Sequence, residues 1–357
     1  MKRLPLAALV AAFFIFLVLS VSVRQAVLLL VGMGMGAALA GARFGFTTGW
    51  RQLIEQRDPR GVTGQALLLA LASLAALPLM GQFSELNAAL GPPSVSLLIG
   101  AFVFGLTMQI ADGCGSGTLY KAGLGVPLNM GILPLFALGS FLGSVHLDSW
   151  LALGQTEPVS LSAQFGTGGA LALTLALLGL ALLGVRVWVG AGKAWLDKRW
   201  GWGAIALAVL ATLNLLLAGQ PWGVVYGFGL WAAKVSVALG AFDPAANAFW
   251  SQAGNAQRLT QTVLMDVTTI TSIGILAGAL WVSAKTPATN KPLTAQQWAI
   301  GLVAGFVMGY SSRLAFGCNV GAMLSGISTG SLHGWIWVPM AFAGTLVGVR
   351  VRRRFGF

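Results

Sequence analysis

Two cysteines are the only thiols in this 357-residue chain, and each stands in a glycine frame. Cys114 lies within Gly113, Gly115, Ser116 and Gly117; Cys318 lies within Gly317, Asn319, Val320 and Gly321. A thiol can serve as a redox partner, a metal ligand, an inert small hydrophobe, or a soft donor to another sulfur. Metal chemistry lacks ligands, because only His146 and His333 accompany the cysteines and neither stands in a recognisable ligand spacing. No metal and no cofactor is therefore expected. A redox cycle through a Cys114–Cys318 disulfide stays open, although there is no Cys-x-x-Cys and no second pair to take electrons. Inert burial is the bland reading, and the recurrence of one frame around both thiols weighs against it. A soft anion makes fuller use of the residues. Its sulfur or selenium end would meet the thiols, and its charged oxygens would meet free backbone N–H groups where helices start near 115–118 and 321–323. Ser116, Thr118 and Asn319 add neutral donors, which bind weakly enough to let an anion leave.

The elements that must position the thiols repeat along the chain. Phe102 and Gly105 precede Cys114 as Phe306 and Gly309 precede Cys318. Downstream, after a one-residue gap, Pro134, Gly139 and Gly143 match Pro339, Gly344 and Gly348. Two weaker glycine-rich stretches, 41–49 and 223–229, complete the pattern, with Phe46 standing roughly where the first would carry a cysteine. The chain thus reads as two units, 1–190 and 191–357. Elsewhere Gly-xxx-Gly spacing indicates close helix packing. The stretch 113–125 is different: five glycines and the nearby Pro127 predict a broken helix at membrane depth. Broken backbone survives there only inside protein or along a polar cavity, and paired breaks in two halves point to a central binding site.

Composition fixes the setting. At 57% hydrophobic and 8% charged residues, the chain is no ordinary soluble globule. Apolar runs fall at 4–23, 25–42, 65–80, 97–111, 128–145, 168–189, 204–218, 263–282, 299–308 and 335–349. A full span takes about 20 apolar residues and a re-entrant piece fewer, which predicts an all-α polytopic membrane protein of about eight to ten spans. The net charge of +12 could suit a nucleic acid, but its distribution does not. Lys2 and Arg3, Arg51, Arg57 and Arg60, Lys193, Lys198 and Arg199, Lys285 and Lys291, and Arg350 to Arg354 occupy short connections. The positive-inside rule then places those connections and both termini in the cytoplasm. Segments 82–94 and 147–164 carry acids without Lys or Arg and should face outward; with 243–258 they read as outer loops or interfacial helices. Trp195, Trp200 and Trp202 suit an interfacial belt. The first run is long for a signal peptide and lacks a cleavage site, so it reads as an uncleaved helix.

Ionisable residues near membrane depth are few. Asp112 could cap the segment that starts at Cys114 or sit near the permeation path; a bare carboxylate repels an anion, so it should be paired or near an aqueous end. Lys121 and Arg313 fall in corresponding zones and could attract an anion or snorkel to the interface. Lys234 carries the same pair of readings, and Asp266 receives no role.

These features resemble the YeeE/YedE family of sulfur-compound transporters. The residues that carry the resemblance are Phe104, Gly105 and the run from Asp112 to Thr118; Phe306, Gly309 and the run from Gly317 to Gly321; and the turn through Gly330, Ser331, Leu332, Gly334 and Trp335. The resemblance implies two repeats whose re-entrant glycine-rich half-helices meet at mid-membrane. It implies uptake of thiosulfate, or a related sulfur or selenium compound, across a bacterial inner membrane, with no enzymatic step. Cys114 and Cys318 would relay the substrate through weak S–H···S contacts, with Gly113, Gly115, Gly317 and Asn319 shaping the loops. Some members have a third cysteine where this chain has Phe46, so a three-station relay is not expected here. A small cytoplasmic sulfur carrier of the TusA/YeeD type is the implied partner.

Overall fold

The computed structural model describes residues 3–284 and 292–357, so the expectations for Lys2, Lys285 and Lys291 lie outside the described residues. The first stretch of chain forms α1 (Arg3–Ser20), α2 (Val23–Ala42), α3 (Phe46–Gln56), α4 (Arg60–Gln82), α5 (Val95–Ile110), α6 (Gly115–Gly123), α7 (Pro127–Val145), α8 (Leu147–Leu151) and α9 (Leu161–Val189). The remainder forms α10 (Lys198–Ala218), α11 (Val225–Ala238), α12 (Ala253–Thr260), α13 (Val267–Ser283), α14 (Ala295–Leu314), a π-helical segment Asn319–Gly326, and α15 (Leu332–Arg354). Among the described residues, nine helical stretches are long and apolar enough to cross a membrane, and Val225–Ala238 and Val267–Ser283 are shorter apolar helices. This is a multi-pass α-helical membrane protein. Leu4, Leu9, Ile15 and Leu19 on α1 are exposed, as a lipid-facing surface requires.

Local sequence explains where the helices start. Ser22, Ser94, Ser160, Asp197 and Asp266 each accept a hydrogen bond from the backbone N–H three residues on, and Thr294 with Gln297 forms a capping box. Asp266, which had no expected role, is therefore the cap of α13; its carboxylate also accepts from the Thr268 and Thr269 hydroxyls. Asp58, in the turn before α4, is held below the usual carboxylate range by its hydrogen bond with the Arg60 side chain.

Helices pair across the length of the chain. α2 packs on α13 and α4 on α10, while α5 packs on α15 and α7 on α14. Glycines make the last two contacts close. A Cβ on Gly105 would overlap the Ala341 carbonyl oxygen, and one on Gly344 the Phe102 carbonyl oxygen. In the other pair, Gly139 abuts the Phe306 carbonyl and Gly309 the Phe136 carbonyl. Small residues that admit a facing backbone are how helices associate in lipid, where no hydrophobic drive acts between them.

Arg3, Arg57, Arg60 and Arg353 lie at one face, whereas Arg24, Lys234, Arg258 and Arg313 lie away from it. Arg353 pairs with Glu55 at 2.8 Å, Arg57 reaches the Trp188 carbonyl, Arg60 approaches Asp197, and Arg3 reaches the Trp281 carbonyl. The start of α1 and the end of α15 share this face. On the opposite face, 83–94 and the residues around α8 form irregular connections stitched to the body. Thr156 N–H donates to the Pro93 carbonyl, Leu332 N–H to Val159, and Leu161 N–H to Gly330.

Candidate functional site

The same backbone move produces both cysteine loops. After α5 the chain passes through Asp112, at φ 54°, and Gly113 into extended Cys114, which precedes α6. After α14 it passes through Phe316, at φ 55°, and Gly317 into extended Cys318, which precedes the π-helical segment. Gly317 has φ 147°, and a Cβ there would lie 2.6 Å from Ala322 N, so no larger residue fits. The Cys114 carbonyl accepts from Thr118 N–H and the Cys318 carbonyl from Ala322 N–H, both at 2.8 Å. Each new helix therefore begins at its cysteine, with its first amides left free of intrahelical partners.

The structure brings the two loops together. The Cβ position of Gly115 lies 3.2 Å from Cys318 Sγ and 3.5 Å from Val224 Cγ1. Val320 N–H donates to Cys318 Sγ at 3.4 Å, and the amides of Gly321, Gly115 and Ser116 also face that sulfur. Cys114 Sγ lies 3.5 Å from Ser116 Oγ, and the Cβ position of Gly117 is 3.5 Å from the same sulfur. Both thiols are free, and their residues are 1% and 0% exposed. Gly113 packs on Thr118, and Gly321 lies against Gly317. Asn319 is fully buried with both amide atoms unpartnered among the described residues. The hydroxyls of Thr118 and Thr47, Gln109 Oε1 and Trp222 Nε1 share that state. Buried polar atoms normally find partners, so Asn319, next to Cys318, and Thr118, on the helix that Cys114 opens, mark a place where a guest could supply them.

Other expectations are corrected. The stretch 113–125 is not broken throughout: α6 fills Gly115–Gly123, because burial on every side overrides the low propensity of its glycines. Asp112 does not cap α6, since Cys114 occupies the cap position without a side-chain bond. Its carboxylate instead meets Arg51 at 2.8 Å, Lys121 at 2.5 Å and Arg352 at 3.5 Å. Lys121 and Arg313 part company. Lys121 joins Asp112, whereas Arg313 is enclosed by the rings of Phe249 and Tyr226 at 4.7 and 5.7 Å. Lys234 donates to the carbonyls of Leu259 and Gln261. Phe46 is buried edge-on to Phe44, 5.7 Å away, and its carbonyl accepts from Gln65. Sequence reasoning missed Val224 beside the thiols, and it read Arg51 and Arg352 as loop cations. Arg51 lies inside α3 and Arg352 in the last turn of α15, and nothing local in the sequence signals that both reach Asp112.

What this arrangement offers is two soft, neutral sulfur donors, glycine amides and neutral side-chain donors. Among the described residues no group of three His, Cys, Asp or Glu could hold a metal ion. A family described as Sulphur transport matches residues 41–347. The thiosulfate transporter TsuA of Spirochaeta thermophila is 28% identical over 320 residues, covering 86% of this chain and 93% of that protein. The thiosulfate transporter TsuA of Escherichia coli is 24% identical over 367 residues, covering 91% and 95% respectively.

Proposed function

The chain belongs to the Sulphur transport family, and from that premise we propose that it takes up thiosulfate, or a related sulfur-containing anion, along a central path lined by Cys114 and Cys318. The observation that carries this reading is the meeting of the two cysteine loops, with the Gly115 Cβ position 3.2 Å from Cys318 Sγ. The thiols hand the terminal sulfur on through S–H···S contacts, and the amides after each cysteine, which face the sulfurs here, turn to hold the oxygens. Gly113, Gly115, Ser116, Gly117, Gly317, Asn319 and Gly321 shape or donate to the path, and no covalent step is needed. The reciprocal pairing of α5 with α15 and α7 with α14 supports two structural units, 1–190 and 191–357. The clustering of cations on one face supports a cytoplasmic location for that face and both termini, with the chain in a bacterial inner membrane. A TusA/YeeD-like carrier would collect the sulfur compound there.

The test is growth on thiosulfate as sole sulfur source, in a host deprived of its own thiosulfate uptake. Rescue by this chain is expected. Failure on thiosulfate with rescue on a selenium compound or sulfite would reassign the substrate and leave a transporter. A second reading, thiol–disulfide redox chemistry, is favoured only by the proximity of the two sulfurs; it requires a disulfide that forms and breaks in turnover.

A narrow path also predicts steric sensitivity at Gly115. Gly115 has helical backbone angles, so alanine fits its conformation, but the added methyl would press on Cys318 Sγ at 3.2 Å. Gly115→Ala is expected to lower the initial rate of labelled thiosulfate uptake several-fold, and Gly115→Val to abolish it, at unchanged membrane levels of protein. Unchanged rates in both would move the path away from these loops.

A further inference from the structure

One carboxylate in this membrane protein faces three cations. Asp112 Oδ1 lies 2.8 Å from Arg51 Nη1 and 3.5 Å from Arg352 Nη1, and its Oδ2 lies 2.5 Å from Lys121 Nζ. The side chains are mostly enclosed: Arg51 is 16% exposed, Lys121 15%, Arg352 15% and Asp112 26%. Glu55, the next carboxylate, is taken by Arg353. The group therefore carries about two positive charges beyond those Asp112 neutralises, in surroundings that screen poorly. Buried excess charge is costly unless something compensates it. Glu55 also acts on Arg352, but it is shared with Arg353, so the wider group of four cations and two carboxylates keeps the same surplus. Lys121 also uses the Asp112 carbonyl and Arg352 the Gln109 carbonyl, which are dipoles rather than charges.

Position makes the excess meaningful. Asp112 stands two residues before Cys114, and Lys121 lies on α6, the helix that Cys114 opens. Gln109, whose carbonyl holds Arg352, donates its amide to the Thr47 carbonyl, while Gln109 Oε1 and Thr47 Oγ1 are buried and unpartnered among the described residues. Polar atoms in want of partners thus adjoin the cation group on the cysteine loop's basic-face side. A doubly charged oxyanion would neutralise the surplus, and guanidinium groups suit its oxygens.

We propose that Arg51, Lys121 and Arg352 form an oxyanion site next to the Cys114 loop, in which Asp112 is the resident anion that a small divalent oxyanion displaces. This rests on the transport reading and deepens it. The thiols recognise the soft end of a substrate; this group receives its oxygens on the basic-face side, and the return of Asp112 expels them. An anion tethered at the site keeps binding weak, which a through-going path needs. Asp112 is well suited to the task, because at φ 54° it holds a left-handed conformation that Asp and Asn tolerate better than most residues.

The test is equilibrium binding of labelled inorganic sulfate, which has the charged oxygens without the soft sulfur, to the purified full-length protein. Asp112→Asn keeps the shape and the backbone preference while removing the competing charge. It is expected to bind sulfate about tenfold more tightly than wild type, the scale of one charge-assisted contact, and to gain more thermal stability from sulfate than wild type does. Adding Lys121→Met or Arg352→Met to Asp112→Asn should reverse the gain. Should one of these combinations fail to fold, the other carries the test. Sulfate binding by Asp112→Asn no tighter than wild type, or undiminished by loss of either cation, would overturn the site. The transport reading is judged separately: thiosulfate uptake without this sulfate response leaves transport standing and removes the site. The sulfate response without thiosulfate uptake leaves the site and removes thiosulfate as substrate.

Discussion

Replacing either Cys114 or Cys318 by serine is expected to cut thiosulfate uptake by about tenfold or more, on the scale of losing one contact to a charged ligand. Serine preserves the shape of the loop and a donor hydrogen, so the backbone around it should persist. What it removes is the large polarizable sulfur and the weakness of the S–H donor. A hydroxyl binds water and anion oxygens more firmly than it binds a terminal sulfur, so on the proposed path the substrate would lose its soft partner. The effect should be near equal for the two residues. Gly115 and Ser116 lie between the thiols, and the amides of both face Cys318. The measurement is the initial rate of labelled uptake in cells, normalised to the protein in the membrane. Wild-type rates in both variants would make the thiols inert packing. Loss of uptake in wild type on thiol alkylation or oxidation, with the residual uptake of the Cys114→Ser/Cys318→Ser double variant unaffected by the same reagents, separates a thiol-lined path from incidental damage.

Gly105→Ala and Gly344→Ala are expected to deplete folded protein. Both glycines lie inside helices, where alanine is intrinsically better by about 1 kcal/mol, so secondary-structure propensity alone favours the exchange. Packing reverses the sign. The new Cβ of residue 105 would overlap the Ala341 carbonyl oxygen, and that of residue 344 the Phe102 carbonyl oxygen. Overfilling a close-packed contact costs about 1–3 kcal/mol, and these neighbours are backbone atoms that cannot rotate aside. Thr345 Oγ1, which donates to the Gly105 carbonyl at 3.2 Å, would be displaced as well. The double variant should lose its monodisperse peak in detergent. Gly179 gives the opposing case, because nothing lies within 4 Å of its Cβ position, and Gly179→Ala should be neutral or stabilising. Equal stability of all three would mean that α5 and α15 separate freely.

Much of the site could be read from the chain. The shared frame around Cys114 and Cys318 was visible because a sharp turn into a new helix needs glycine just before the cysteine, and glycine is easily seen. The matched pairs Gly139 with Gly344 and Gly143 with Gly348 were visible for the same reason. Their partners were not. Nothing local states that Gly105 faces Ala341 or that Gly139 faces Phe306, since the small residue records a close approach without recording what approaches. For Asp112 the expected pairing was found and the capping was not, and its partners stayed hidden on similar grounds. Capping is a local event and was the natural inference, whereas Arg51 and Arg352 come from helices remote in sequence. The glycine-rich α6 was underestimated because propensity scales describe helices in water, and this one is enclosed by protein. Val224 carries no chemical signal of its own, so only its position could reveal it.

The pairing of α5 with α15 has a consequence for how the protein is made. α5 ends at Ile110 and α15 starts only at Leu332, so α5 must enter the bilayer and wait there for its partner. Synthesis at about 5–20 residues per second makes that wait on the order of ten seconds or more. Throughout it, the groove at Gly105 lies open to lipid or to any other small-residue helix in reach, and the Cys114 loop has no opposing loop to shield it. A half-built chain therefore stays exposed at this groove for most of its synthesis, and a ribosome stalled late in the message would leave behind α5 and the Cys114 loop without their partners.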